Sequence, residues 1–312
     1  MRILGHVHAF NDEDVIDRAL GALRAQTVRV DGILVVDNGS TDGTPARCAA
    51  DDVRLIRHEA NLGTSGAVAR GFTYALEHGY DWIWVLDADS VPRSDALEKL
   101  VRLYQEVDEA TRAKIGVLSS SHVLVPLTTL LHGRRLTPGG PRITRVDGHR
   151  DYCETDSTIW SGSLFRLHAV RVAGLPRYGP RGYWQDLGLD YGDIEFTFRV
   201  QRHGFKLLVH RSSVIDHPVG QHRHLRALGR VLLVSTNHSA ERRYLYFRNL
   251  VFFWLHLYPR RNWPLLTTWF LYRIGITILG ILLLERGAGL KIRASFLGAW
   301  DGWRRRLDQG YR

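Results

Sequence analysis

"WIWVLDADSVP" (residues 82–92) is an apolar run of strand type that ends on two aspartates one residue apart, Asp87 and Asp89, before a proline stops it. Large apolar side chains without polar alternation read as a strand covered on both faces, the habit of parallel sheets flanked by helices. The pattern recurs upstream. "RILGHVHAF" (2–10), "DGILVVDNGS" (31–40) and "VRLIRHE" (53–59) read as strands. "DEDVIDRALGALRAQ" (12–26), "TPARCAAD" (44–51), "TSGAVARGFTYALEHG" (64–79) and "SDALEKLVRLYQEV" (94–107) read as helices. This alternation predicts an α/β fold with a doubly wound, mainly parallel sheet.

Ligands of such sheets bind outside the carboxyl ends of the strands. Here those ends carry "AFND" (9–12), "DNGSTD" (37–42), "NLGTSG" (61–66) and "DADS" (87–90). Four polar loops on one rim, two of them with glycine, suggest a nucleotide-sized site. The fold is Rossmann-like, yet no GxGxxG follows the first strand and there is no Walker motif, which argues against a dinucleotide. A close carboxylate pair suits a divalent cation that bridges to a diphosphate. Taken alone, the pair reads equally well as turn residues.

The 312 residues allow one large domain or a domain with an appendage, and 45% hydrophobic with 24% charged residues is ordinary for a folded chain. Cys48 and Cys153 stand in no metal-binding or redox spacing, which fits a reducing compartment. The N-terminus is too short and polar for a secretory signal. The net charge of +10 gathers late, in "HGRRLTPGGPRITR" (132–145), "HRHLRALGR" (222–230) and the final "WRRRLDQGYR". Such a surface fits nucleic acid, an anionic membrane or a diphosphate-bearing substrate. His222 and His224 within it take no role.

The aromatic tail bears on that choice. "LYFRNLVFFWLHLY" (245–258) precedes "WPLLTTWFLYRIGITILGILLLE" (263–285), which has about the length of a bilayer span. Arg273 near its middle is costly there, and the flanking tryptophans, tyrosines and arginines have the composition of interfacial anchors. The favoured reading is peripheral association with the cytoplasmic face of a membrane. Helices buried in a soluble core or a homodimer, or a true span, are the alternatives.

Further stretches complete a series: "VDNGSTDGT" (36–44), "NLGTSGAVARG" (61–71), "LDADSVP" (86–92), "WSGSLF" (160–165), "LDYGDIEFTFRVQRHGFKL" (189–207), "DHPVG" (216–220) and "RRYLYFRN" (242–249). In this order and spacing the chain resembles the inverting nucleotide-sugar glycosyltransferases of family 2 with the GT-A fold. Within them it is most similar to bacterial rhamnosyltransferase-like enzymes that build cell-surface polysaccharides. The resemblance spans about residues 1–250. It implies a GT-A domain over 1–230, with a nucleotide-sugar half over about 1–120 and an acceptor half over about 121–230. A helical, aromatic and basic membrane-associating region over 231–312 follows. It also implies a UDP- or dTDP-sugar donor (rhamnose or galactofuranose among the candidates), Mg²⁺ or Mn²⁺, and a lipid-linked or growing glycan acceptor.

The resemblance also implies roles for single residues. Asp37 would hydrogen-bond the base, with Asn38 beside it and Ala9 to Asn11 lining the pocket. Asn61, Gly63 and Gly66 would pass close to base and ribose. Asp87 and Asp89 form the DxD pair, with Asp89 the direct metal ligand. His217 would supply a late metal ligand or touch the diphosphate, unless it is an ordinary loop histidine. Asp193 would be the base that takes the acceptor hydroxyl proton. Gly192 replaces the acid that usually precedes that base, so Asp190 is a rival. Glu195 belongs to the same block but with Arg199 could form no more than a helix pair. Trp160, Ser161 and Gly162 would line the acceptor or sugar pocket, with Asp190 and Glu195, or else form a core strand and turn. Arg243 and Arg248 would order a loop over the diphosphate or serve as interfacial anchors. A sugar nucleotidyltransferase competes, but the chain lacks a Gly-rich phosphate loop near its N-terminus. A non-catalytic membrane or nucleic-acid binder is a further alternative, although no nucleic-acid module is recognisable.

Overall fold

The computed structural model describes residues 1–125, 129–131, 133–137, 140–143, 150–176, 191–218, 223–227, 230–258 and 263–307. Strands β1 (Ile3–Ala9), β2 (Gly32–Asp37), β3 (Val53–Arg57) and β4 (Trp82–Asp87) pair in parallel, in the spatial order β4-β1-β2-β3. Helices α1 (Ile16–Arg24), α2 (Thr44–Arg47) and α3 (Gly63–Glu77) connect them. The short β5 (Val91–Pro92) follows, then α4 (Ala96–Glu106), α5 (Glu109–Lys114) and β6 (Ile115–Val125).

Beyond β4 the sheet becomes mixed. After the short β7 (Thr129–Leu131), β8 (Arg134–Thr137) and β9 (Gly140–Ile143) come β10 (Tyr152–Thr155), β11 (Ser163–Arg166), α6 (Leu167–Ala173), α7 (Gly192–Arg202) and β12 (Lys206–Pro218). β11 runs antiparallel between β4 and β6, and β12 lies parallel beside β6. Gly162, at φ +73°, makes the turn into β11; a side chain there would drive into Ile215.

The doubly buried strands explain the core. In β4, Trp82, Trp84 and Leu86 face a cluster with Leu20 and Leu23 of α1 and Leu97 and Leu100 of α4. Ile83 and Val85 face the other layer, with Phe72 of α3, Phe165 of β11 and Phe196 of α7. Burying one such side chain contributes about 1.5–3 kcal/mol, which holds strand ends in register while leaving the loops above them polar.

The chain forms two compact units. The first comprises Met1–Arg135, Ile143–Gly188 and Gly192–Pro218; the second comprises Leu136–Arg142, Leu189–Tyr191 and Val219–Arg312. Val219–Arg312 is the main body of the second. In the second unit β13 (Arg223–Ala227) and β14 (Arg230–Ser235) form an antiparallel pair. Helix α8 (Ala240–Phe252) is capped by the Ser239 side chain and runs into one π-helical turn, Phe253–Leu257. Helices α9 (Trp263–Leu284) and α10 (Ala288–Trp303) complete the unit. α10 lies directly on α8 because Gly298 and Gly302 face it; a methyl at either would collide with the carbonyl of Tyr244 or Arg248. Leu271, Leu279, Leu282 and Leu283 of α9 and Leu290, Phe296, Trp300 and Trp303 of α10 are exposed.

Candidate active site

The sheet register sets the site. His8 of β1 lies opposite Asp87 of β4, and Ala9 opposite Asp37 of β2. Asp37 and Asp87 therefore end strands on either side of β1, roughly 10 Å apart at normal strand spacing. A nucleotide fits that interval.

After Asp87 the chain turns through Ala88–Ser90, with the Ser90 N–H donating to the Asp87 carbonyl at 3.0 Å. β5 then pairs antiparallel with the end of β12, Ile215 to Pro92 and Asp216 to Val91. That clasp brings His217 to the DxD turn. Its Nδ1 lies 3.0 Å from Ser90 Oγ and 3.3 Å from Asp89 Oδ1. Ser161 Oγ donates to Ser90 Oγ at 2.7 Å, so the turn is tied to the segment before β11 as well.

Asp87, Asp89 and His217 have potential ligand atoms within 4.8 Å of one another. The two carboxylates match the oxygen preference of Mg²⁺ or Mn²⁺, and the imidazole suits Mn²⁺, a transition metal, better than Mg²⁺. About a third of each carboxylate side chain stays open, 34% for Asp87 and 36% for Asp89, so substrate oxygens can complete the shell. Burial pushes the Asp89 carboxyl up from its ordinary range; His217 opposes this, and the charges of Asp87 and Asp12 add to it. Burial also raises Asp12. For Asp87, desolvation is outweighed by the hydrogen bond and charge of His8, which hold its carboxyl below the usual range. A cation would relieve the crowding of these acids, so the residues fit the ion that the resemblance implies.

The loop residues form one network. The fully buried Asp37 carboxylate accepts from Ser40 N–H at 3.1 Å and from Arg57 Nε at 2.8 Å. Asn38 joins two loops, donating to Asn61 Oδ1 at 2.7 Å and Gly63 O at 3.0 Å and accepting from Leu62 N–H at 2.9 Å. Asn11, in a left-handed conformation, accepts from Thr41 N–H at 2.9 Å. Ala9 is buried at the end of β1, and Gly66 is buried in the first turns of α3. Asp193, half-buried, stands in the first turn of α7, its Oδ1 accepting from Ile194 N–H at 2.7 Å. Asp190 and His222 lie outside the described residues.

Packing accounts for the surroundings of four of the named residues. Trp160 is 3% exposed and packs among Phe72, Phe165 and Phe196, the surroundings that the alternative reading of a core strand and turn describes. The buried Glu195 carboxylate is held by Arg199 through contacts of 3.0 and 3.2 Å, and Arg199 also donates to carbonyls at the end of α6. Its business is helix docking. Arg243, 3% exposed, is paired with buried Glu285 inside the second unit. Arg248 is fully buried and donates to Leu307 O at 3.1 Å and Asn249 Oδ1 at 3.1 Å. Both guanidiniums pair with groups inside the second unit.

Two histidines escape sequence reading. His8 Nε2 lies 2.9 Å from Asp87 Oδ1 and orients that carboxylate. His122, buried in β6, stands edge-on to His217 at 6.3 Å; burial and then the charge of His217 push it down to about 4. Each sits within a buried strand, where periodicity marks only burial. The one signal was the repeated His in "GHVHAF".

Residues 6–116 match the family model for glycosyl transferase family 2. Over 239 residues the chain is 26% identical to an undecaprenyl-phosphate mannosyltransferase of Micrococcus luteus, covering 71% of this chain and 86% of that protein. It is 25% identical to the galactofuranosyltransferase GlfT1 of Mycobacterium tuberculosis over 52% of this chain, and spans about half (55%) of that relative's length. Among solved structures it is similar to the mannosyltransferase PcManGT of Pyrobaculum calidifontis in complex with GDP-Man and Mn²⁺. That likeness has a TM-score of 0.54 and 16% identity, over 100% of this chain and 76% of the other.

Proposed function

We propose that this chain, a glycosyltransferase of family 2, moves a sugar with inversion from a UDP- or dTDP-sugar to a lipid-linked or growing cell-surface glycan. The observation that carries the metal-dependent form of this reading is the convergence of Asp87, Asp89 and His217 at the rim of the sheet. Bound there, Mg²⁺ or Mn²⁺ would neutralise the charge that builds on the leaving nucleoside diphosphate. The loops of Asn11, Asp37, Asn38 and Asn61 hold base and ribose. Asp193 takes the proton of the acceptor hydroxyl as that oxygen attacks the anomeric carbon. Relatives named for undecaprenyl phosphate and for galactofuranose favour a lipid-linked acceptor and keep galactofuranose among the donor sugars. The exposed apolar faces of α9 and α10 support association with the cytoplasmic side of a membrane.

The test is a panel of nucleotide sugars with Mn²⁺ or Mg²⁺, following donor hydrolysis and thermal stabilisation by UDP and by dTDP. The expected result is turnover that stops on chelation, and stabilisation by one nucleotide over the other. Asp193→Ala is expected to abolish transfer in a folded protein while leaving nucleotide stabilisation intact. Release of pyrophosphate from a nucleoside triphosphate plus a sugar phosphate would instead identify a nucleotidyltransferase.

A further inference from the structure

α9 carries a charge that its composition does not accommodate. From Thr267 to Leu284 its mean hydropathy is 1.7 and only 11% of the segment is buried. Arg273 lies within that segment. A guanidinium among lipid-facing side chains is costly unless it reaches water or an anion. Among the described residues its hydrogen bond goes to the Tyr246 hydroxyl, at 3.4 Å, and it forms no ion pair with a carboxylate.

Arg273 instead lines a cavity of about 400 Å³ within the second unit, together with Ser235, Thr236, His238, Tyr246 and Thr277. Arg243 also reaches this wall. Its partner Glu285 is shared with Lys291 at 2.8 Å, so two cations face one acid and the wall keeps a positive surplus. The lip is apolar: Leu232 is 59% and Val234 46% exposed. A guanidinium with hydroxyls behind an apolar lip suits a tetrahedral oxyanion borne on an apolar body.

We propose that this cavity binds the phosphate group of a membrane lipid, with Arg273 pairing to the phosphate oxygens. The inference rests on the reading that the second unit meets a membrane, and it assigns that contact a headgroup. A polyprenyl phosphate carrier and a bulk phospholipid share this chemistry.

The experiment is co-sedimentation of the full chain with vesicles. A neutral, phosphate-free glycolipid is the base, doped with polyprenyl monophosphate, with phosphatidylglycerol, or with a fatty-acid carboxylate at equal charge. Wild type is expected to bind the phosphate-doped vesicles about fivefold more tightly than the carboxylate-doped ones, the scale of one additional hydrogen bond to a phosphate oxygen. Arg273→Gln loses that preference with an unchanged melting temperature, and Arg273→Lys recovers part of it. Thr277→Val, which removes a hydroxyl from the same wall, weakens it. Preference for polyprenyl phosphate identifies the carrier lipid as the occupant, and preference for phosphatidylglycerol the bulk phospholipid. Equal binding of wild type and Arg273→Gln to phosphate vesicles overturns the proposal, as does binding to the base vesicles with no gain from phosphate. Absence of binding to any vesicle overturns the membrane reading together with it.

Discussion

The acidic rim of the first unit and the arginines of the second use charge in opposite ways. At the rim, Asp87 pairs with His8 and Asp89 with His217 among the described residues, and both keep about a third of their side-chain surface open. In the second unit Arg243 pairs with Glu285, and Arg248 is spent on Leu307 and Asn249. Sequence alone marks all four as candidate ligand contacts. The difference teaches that a charged side chain serves a ligand only where the fold leaves its partners incomplete.

The sharpest way to break this comparison is Asp89→Ala. If the rim holds the ion, transfer falls about a thousandfold, because several kcal/mol of charge stabilisation disappear. Thermal stability at pH 7 does not fall, since burial disfavours the Asp89 charge in the fold. Steady-state kinetics with a melting curve on the same sample checks both halves. The second unit answers the other way. Glu285→Leu strips Arg243 and Lys291 of their shared carboxylate and is expected to destabilise by about 3–5 kcal/mol. A urea titration checks this; an Arg243 variant with unchanged stability and lost activity would restore that residue to the ligand.

A smaller effect is expected at His8. Removing the imidazole that orients Asp87 should weaken Mn²⁺ binding by about 10–100-fold, read by calorimetry or by the electron-spin signal of free Mn²⁺. The smallest concerns His6, buried in β1, where burial reinforced by His8 pushes the imidazole down to about 3 from 6.5. The fold keeps it neutral, so its contribution is complete above pH 6.5. As pH falls from 6.5 toward 3 the unfolded chain takes a proton that the fold refuses, and stability declines. In His6→Leu the loss of stability between pH 7 and pH 4.5 is therefore shallower than in wild type, measured by urea midpoints.

The parallel half of the sheet was legible because its strands are apolar throughout and end abruptly in polar loops. The two aspartates were legible at the end of an apolar strand, and the resemblance named His217 from a short late stretch. What escaped follows from non-local pairing. The wedge of β11 between β4 and β6 depends on neighbours that periodicity does not name. Trp160 reads alike as pocket wall or core until Phe72, Phe165 and Phe196 close around it. Arg243 looks available until Glu285 arrives from the end of α9.

The clasp between β5 and β12 has a consequence for the order in which the enzyme is made. Ser90 and His217, which meet at the DxD turn, are 127 residues apart. A chain emerging from the ribosome can fold the four parallel strands long before His217 exists, since domains tend to form from the N-terminus as synthesis proceeds. During that interval the rim carries its two aspartates without the imidazole beside them. Long-range pairing of this kind is slow to form, so the cluster closes only once β12 has taken its place beside β6. The group of Asp87, Asp89 and His217 is thereby complete only after the whole first unit has been synthesised.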